Sequence, residues 1–242
     1  MRFLSLANRN MKEIYRDPVS ISLGVVMPAI LLILFISIGK NAPIEMFTPK
    51  VLTPGIIVFS FAFLMMFSAM LLSKDRQSAF LTRLLASPLK STDYILAYSL
   101  PLLPIAILQI IVCFIVGIIF GVPLSLGILY SLVILIPVAF VFIGLGMILG
   151  SLLTENQISG AGTIIIIMTS LLGGAWMDLK MVGGAFERIG YGLPFAHAID
   201  GARSILKGSS SSNITTDLYW VVVYALVFLL IGTLSFKWKT RR

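Results

Sequence analysis

The residues able to do chemistry are few in this 242-residue chain, and their spacing assembles no reaction centre. There is one histidine, His197, and one cysteine, Cys113. A metal site of the usual kinds needs clustered Cys, His or carboxylate ligands, and neither H-E-x-x-H nor paired Cys/His spacing occurs. A phosphate loop, G-x-x-x-x-G-K-[ST], is also missing, so the chain has no such route to ATP hydrolysis by itself. Ser159-Gly160 lies in QISGAG without a glycine two residues before the serine, as an intramembrane serine hydrolase would need. No catalytic residue, bound cofactor or metal is therefore expected.

Chemistry of a different kind is available in the apolar runs. A carrier driven by protons or sodium should hold ionisable groups inside its spans; here the run interiors have none. Their polar residues are Ser60, Ser68, Gln109, Ser131, Thr163, Thr169 and Ser170, suited to bonding a backbone carbonyl or a neighbouring helix. Gln109 is the most costly to leave unpaired in lipid and should face protein or an aqueous path. Phe59, Phe63, Met66 and Phe67 form an adaptable greasy series, fitted with Gln109 to an amphipathic substrate path or else to lipid contact.

The elements that must position these residues follow from composition. Residues are 58% hydrophobic and 12% charged, with a mean hydropathy of +1.03, whereas soluble domains carry about 25% charged residues. Several apolar runs exceed the roughly 18 residues that mark a membrane-spanning helix. The run from Tyr94 to Thr154 is free of charge and too long for one span, and Gly121-Val122-Pro123-Leu124-Ser125 divides it. Spans are expected near 19–39, 52–73, 94–120, 125–152, 157–177 and 218–236. The chain reads as one all-α polytopic membrane domain over 1–242. Six crossings place both termini on one side, and twelve of the 18 Lys and Arg residues then share that side, which the positive-inside rule makes cytoplasmic. The +8 net charge thus reflects topology, and no nucleic-acid partner is expected.

Three segments outside the spans carry pattern. Residues 2–16 form a basic amphipathic helix suited to the bilayer interface, ended by Asp17-Pro18. The stretch 74–88 places Phe80, Leu81, Leu84 and Leu85 at helical spacing beside Arg76 and Arg83, until Pro88 stops it. Such an apolar ridge needs either a protein partner or the membrane surface to cover it. Residues 179–207 read as short helices between Gly/Pro breaks, with Pro194 at a first helical position and Gly208 just past a last one.

In this order and spacing the chain resembles the permease subunits of type-2 ABC exporters, the group that includes daunorubicin-resistance-like drug permeases. The resemblance rests on Arg16-Asp17-Pro18, Pro54-Gly55, RLLASPL at 83–89, GLGMILGSLL at 144–153 and LPFAHAIDGAR at 193–203. It implies that 2–16 is an interfacial connecting helix and 74–88 a coupling helix set in a cleft of a separate ATPase. Arg76, Phe80, Arg83, Leu84, Leu85 and Pro88 would be the coupling residues. Residues 179–207 would be outer re-entrant helices, with Pro194, Phe195, His197 and Asp200 at the exit gate. ATP and Mg would sit on two partner ATPase subunits, beside a second permease copy or a related permease, in a prokaryotic cell membrane. Relatives often carry an acidic residue, glycine and threonine where this chain has Ser78, Ala79 and Phe80. The competing expectation is an ATP-independent carrier or channel.

Overall fold

The computed structural model describes residues 2–41, 45–78, 91–208 and 211–240. Within them the regular elements are all helical. Helix α1 is Arg2–Tyr15, α2 Pro18–Asn41 and α3 Pro49–Gln77. After the break come α4 (Ser91–Ser99), a 3-10 turn at Leu100–Leu102, and α5 (Leu103–Ile119). Then follow α6 (Leu126–Leu152), α7 (Glu155–Leu172), α8 (Leu179–Val182), α9 (Gly184–Tyr191), α10 (Pro194–Lys207) and α11 (Ser211–Thr240).

Among the described residues five stretches are long and apolar enough to cross a membrane: Pro18–Asn41, Pro49–Gln77, Thr92–Ile119, Leu126–Leu152 and Ile214–Trp238. The third is one continuous crossing in which Pro101 and Pro104, which lack an N–H, tighten the helix into the 3-10 turn. The span expected at 157–177 is α7, and it stops at Leu172, where Gly173-Gly174 turns the chain and Gly174 takes φ +72°. Its first turn is Glu155-Asn156-Gln157. That leaves roughly 15 residues, about 22 Å of helix, against a hydrocarbon core of about 30 Å.

Contacts along α3 nevertheless show that α7 runs the length of the bundle. Leu153, just before α7, accepts hydrogen bonds from Ser73 and Arg76 at one end of α3. Gly162 lies against Met66 midway, and Ala175 lies against Gly55 at the other end. The bundle therefore has a near end, where α1 packs on α4 and Phe236 meets Tyr94, and a far end, where α8–α10 gather. Among the described residues, six helical segments run between them.

Helix α3 is the axis of the molecule, packed by α2, α5, α6, α7 and α10 and buried along most of its length. Glycines set how closely α6 approaches it. A Cβ on Gly150 would stand 2.5 Å from the Ala69 carbonyl oxygen, and Gly146 is equally tight against Met65 and Ser68. The small-xxx-small pair is thus spent inside this chain, the close backbone packing that substitutes for a hydrophobic driving force in lipid. Cys113 is fully buried in the same core.

The coupling helix expected over 74–88 does not begin at Lys74. Residues 74–77 continue α3, which ends at Ser78 in extended backbone. The reason is tertiary: Asp75 and Arg76 both point back into the bundle and find partners from distant parts of the chain there. Phe80, Arg83, Leu84, Leu85 and Pro88 lie outside the described residues.

Candidate functional site

At the near end, the last turn of α3 is held by a polar cluster. Asp75 is 2% exposed and accepts hydrogen bonds from Arg9 of α1 and from the Tyr98 hydroxyl of α4, the latter at 2.6 Å. A buried carboxylate is tolerable only with such partners. Arg9 also pairs with Glu13 at 2.6 Å, and Glu13 in turn with Lys74 at 2.8 Å. Burial alone would lower the Arg9 pKa, but the hydrogen bond and charge of Asp75, with Glu13, leave it raised. Asn10, fully buried, donates to the Ala97 carbonyl at 3.0 Å. The helix expected to lie at the interface is therefore also bolted to α3 and α4, the two helices that flank residues 79–90. Arg76 turns inward, donating to the Leu153 carbonyl at 2.5 Å, so it ties α3 to the α6–α7 turn.

Along α3, Phe59, Phe63, Met66, Phe67 and Met70 share one side, between α2 and α7. Phe59 is buried, meeting Trp176 and Phe63 edge-on at ring separations of 5.1 and 6.0 Å. Phe63, Met66 and Phe67 are half-buried, and Met70 is 41% exposed. The series is thus the least enclosed side of an otherwise buried helix. Gln109 stands behind it. Pro28, lacking an N–H, leaves the Gly24 carbonyl of α2 without its helical donor. The Gln109 amide fills that gap at 2.8 Å and reaches the Ser60 carbonyl at 3.1 Å. Gln109 faces protein, as a brace between α2, α3 and α5. Ser60, Ser131 and Thr163 bond carbonyls three or four residues back, and Ser68 reaches Ile143 on α6.

The far end is closed by α10, whose limits match the residues that set them: Pro194 is in its first turn and Gly208 follows it at φ +72°. Pro194 and Phe195 are buried, and Phe195 packs on Phe142 of α6 at 5.0 Å. His197 lies 2.8 Å from Asp217 through Nδ1 and 3.0 Å from the Tyr191 carbonyl through Nε2, with its ring stacked 5.3 Å from Trp220. Tyr191 donates to Asp200 at 2.5 Å. Burial, then Asp200, pushes the Tyr191 phenol upward. Arg203 was not singled out by spacing, yet it is only 8% exposed and donates to Val51 at 2.8 Å and Gly174 at 3.0 Å. Burial lowers its pKa, against the pull of Asp200. A cavity of about 600 Å³ opens beside this network, over Tyr191, His197, Asp200, Arg203 and Asp217.

A helical bundle with membrane-length helices, an amphipathic helix packed at one end and short helices gathered at the other is an all-α polytopic membrane protein. Residues 1–207 match the family model described as ABC-2 type transporter, and the chain belongs to that family. The relative named transport permease ycf38 from Porphyra purpurea is 28% identical over 217 residues, 85% of this chain and 74% of that protein. Its namesake from Pyropia yezoensis is 34% identical over 113 residues, 44% of this chain and 39% of that protein. The relative named transport permease YvfS from Bacillus subtilis strain 168 is 24% identical over 94 residues, 39% of this chain and 38% of that protein. With red algae and a bacterium among the relatives, the family does not restrict this chain to prokaryotes.

The Arg9–Asp75–Tyr98 and Arg203 networks were not visible in the sequence. Each joins positions far apart in the chain, and no spacing rule connects residue 9 to residues 75 and 98. The one available signal was a lone acid, Asp75, flanked by Lys74 and Arg76 directly after an apolar run.

Proposed function

We propose that this chain is the membrane half of an ATP-driven exporter. It would work with two separate ATPase subunits and a second permease, moving an amphipathic or hydrophobic molecule out of the cytoplasm. ATP and Mg belong to the partner, because no phosphate loop occurs in this sequence. The observation that carries the reading is the polar cluster at the near end, taken together with membership of the ABC-2 transporter family. Arg9, Asp75 and Tyr98 join α1, α3 and α4, so a force on residues 79–90 enters three helices at once. In this reading the near end is cytoplasmic, six segments cross the bilayer, and the leucine-rich stretch 80–88, with Arg83, docks on the ATPase. The Phe59–Met70 side of α3 is the substrate path, and α10, through Pro194, Phe195, His197 and Asp200, is the outer gate.

Co-purification tests the docking step. The wild-type chain should retain its ATPase partner, whereas Arg83→Glu and Leu84→Asp should each release it and abolish ATP-dependent transport. Transport at full rate without any ATPase, or complexes unchanged by both substitutions, would overturn the proposal in favour of an ATP-independent carrier.

A further inference from the structure

Helix α1 has three faces when its residues are placed 100° apart. Leu6, Ala7, Asn10 and Ile14 face the protein and are buried or half-buried. Leu4, Met11 and Tyr15 form a second face, with Leu4 50% and Tyr15 61% exposed. Arg9, Lys12 and Arg16 form the third. The protein covers the first and ties down Arg9 of the third through Asp75, so the rest of an apolar stripe and of a basic stripe stand side by side where the first membrane-length helix begins at Pro18.

The basic stripe borders a cleft of about 700 Å³, lined by the cations Arg9, Lys12, Arg16 and Lys74 and the acids Glu13 and Asp17. Both acids are already engaged: Glu13 by Arg9 and Lys74, and Asp17 by the Ser20 amide at 3.1 Å. Hydrogen bonding to the Ser20 side chain, and then to its amide, holds the Asp17 carboxyl below its usual pKa. Lys12 and Arg16 are exposed and form no ion pair among the described residues. A second cavity of about 300 Å³ adjoins the first, sharing Glu13, Asp17 and Lys74. Its other walls are mostly apolar, Ile14, Ile21, Phe67, Met70 and Leu71, joined by Ser20 and by the Glu155 carboxylate, whose charge Lys74 feels. The two form one depression, basic at the mouth and greasy along α2 and α3.

We propose that this depression binds one anionic phospholipid-like molecule. Its phosphate is held by Lys12 and Arg16, and its acyl chain lies over Ile21, Phe67 and Met70. Arginine's planar fork suits phosphate oxygens, and an interfacial helix sets these cations at headgroup depth. A soluble phosphate would satisfy the mouth alone; the adjoining apolar groove is the reason to assign a lipid. Because Phe67 belongs to the substrate path proposed above, the inference rests on that reading in naming the molecule at its entrance.

Binding is measured apart from transport, so the two readings can fail separately. The full-length chain, purified in a zwitterionic detergent, is exposed to phosphatidylglycerol or phosphatidylcholine, and retained lipid is read by native mass spectrometry. Phosphatidylglycerol should be retained preferentially, with retention falling roughly fivefold for each cation neutralised in Lys12→Gln and Arg16→Gln. Met70→Asp, at an exposed groove position, should lower it independently, and excess glycerol phosphate should not displace the lipid. Equal retention of both lipids, indifference to the Lys12 and Arg16 substitutions, or displacement by glycerol phosphate would each overturn the assignment.

Discussion

Among single residues, Asp75 carries the most consequence, because its carboxylate is buried and answers to two other helices. Removing one partner of a buried pair leaves an uncompensated charge, at a cost of about 3 kcal/mol. Asp75→Ala should therefore lower thermal stability in detergent by about that much. The double substitution Arg9→Met with Asp75→Leu should recover most of the loss, since neither charge is then stranded. If the double variant is as unstable as the sum of the two single ones, the pair does not act as a unit. A transport assay on the double variant separates stability from coupling: it should fold and still fail to couple ATP to export, because the link between α1 and α3 is gone.

Among elements, the packing of α6 on α3 rests on hydrogen atoms where any side chain would collide. Gly150→Leu should force the two helices apart and lower the unfolding midpoint steeply, whereas Gly160→Leu, on α7 with nothing within 4 Å, should be tolerated. Comparing the two midpoints checks the claim. Elements were also where the sequence was most and least legible. Apolar length located the long helices, and Pro194 with Gly208 set the limits of α10, because these signals are local. The end of α3 was misplaced, since charge at residues 74–76 suggested an aqueous loop. In the fold Asp75 and Arg76 are satisfied inside the bundle by Arg9, Tyr98 and the Leu153 carbonyl, while exposed Lys74 pairs with Glu13 of α1. Likewise, α7 was expected to run to residue 177, but Gly173-Gly174 turns it into the carbonyls that Arg203 binds. The candidate path series was readable as a helical stripe. Gln109 was recognisable as needing a partner, but its partner depended on Pro28 from a distant helix.

At the scale of the whole molecule, the direction of α7 decides the topology. Five candidate helices alone would leave the termini on opposite sides, whereas six end-to-end segments bring α1 and the end of α11 to the same end of the bundle. Protease-cleavable tags placed at both termini should accordingly be cut from the same side of sealed membrane vesicles, and protected together on the other. Tags cut from opposite sides would mean that α7 does not cross.

Cys113, the one thiol in the chain, is fully shielded by its neighbours, so the native protein should not react with polar thiol reagents. A spin label or fluorophore can therefore be installed at a single chosen position without first removing a natural cysteine. The resting and working distances between α1, α10 and the segment that follows α3 are thus open to direct spectroscopic measurement in an otherwise unaltered molecule.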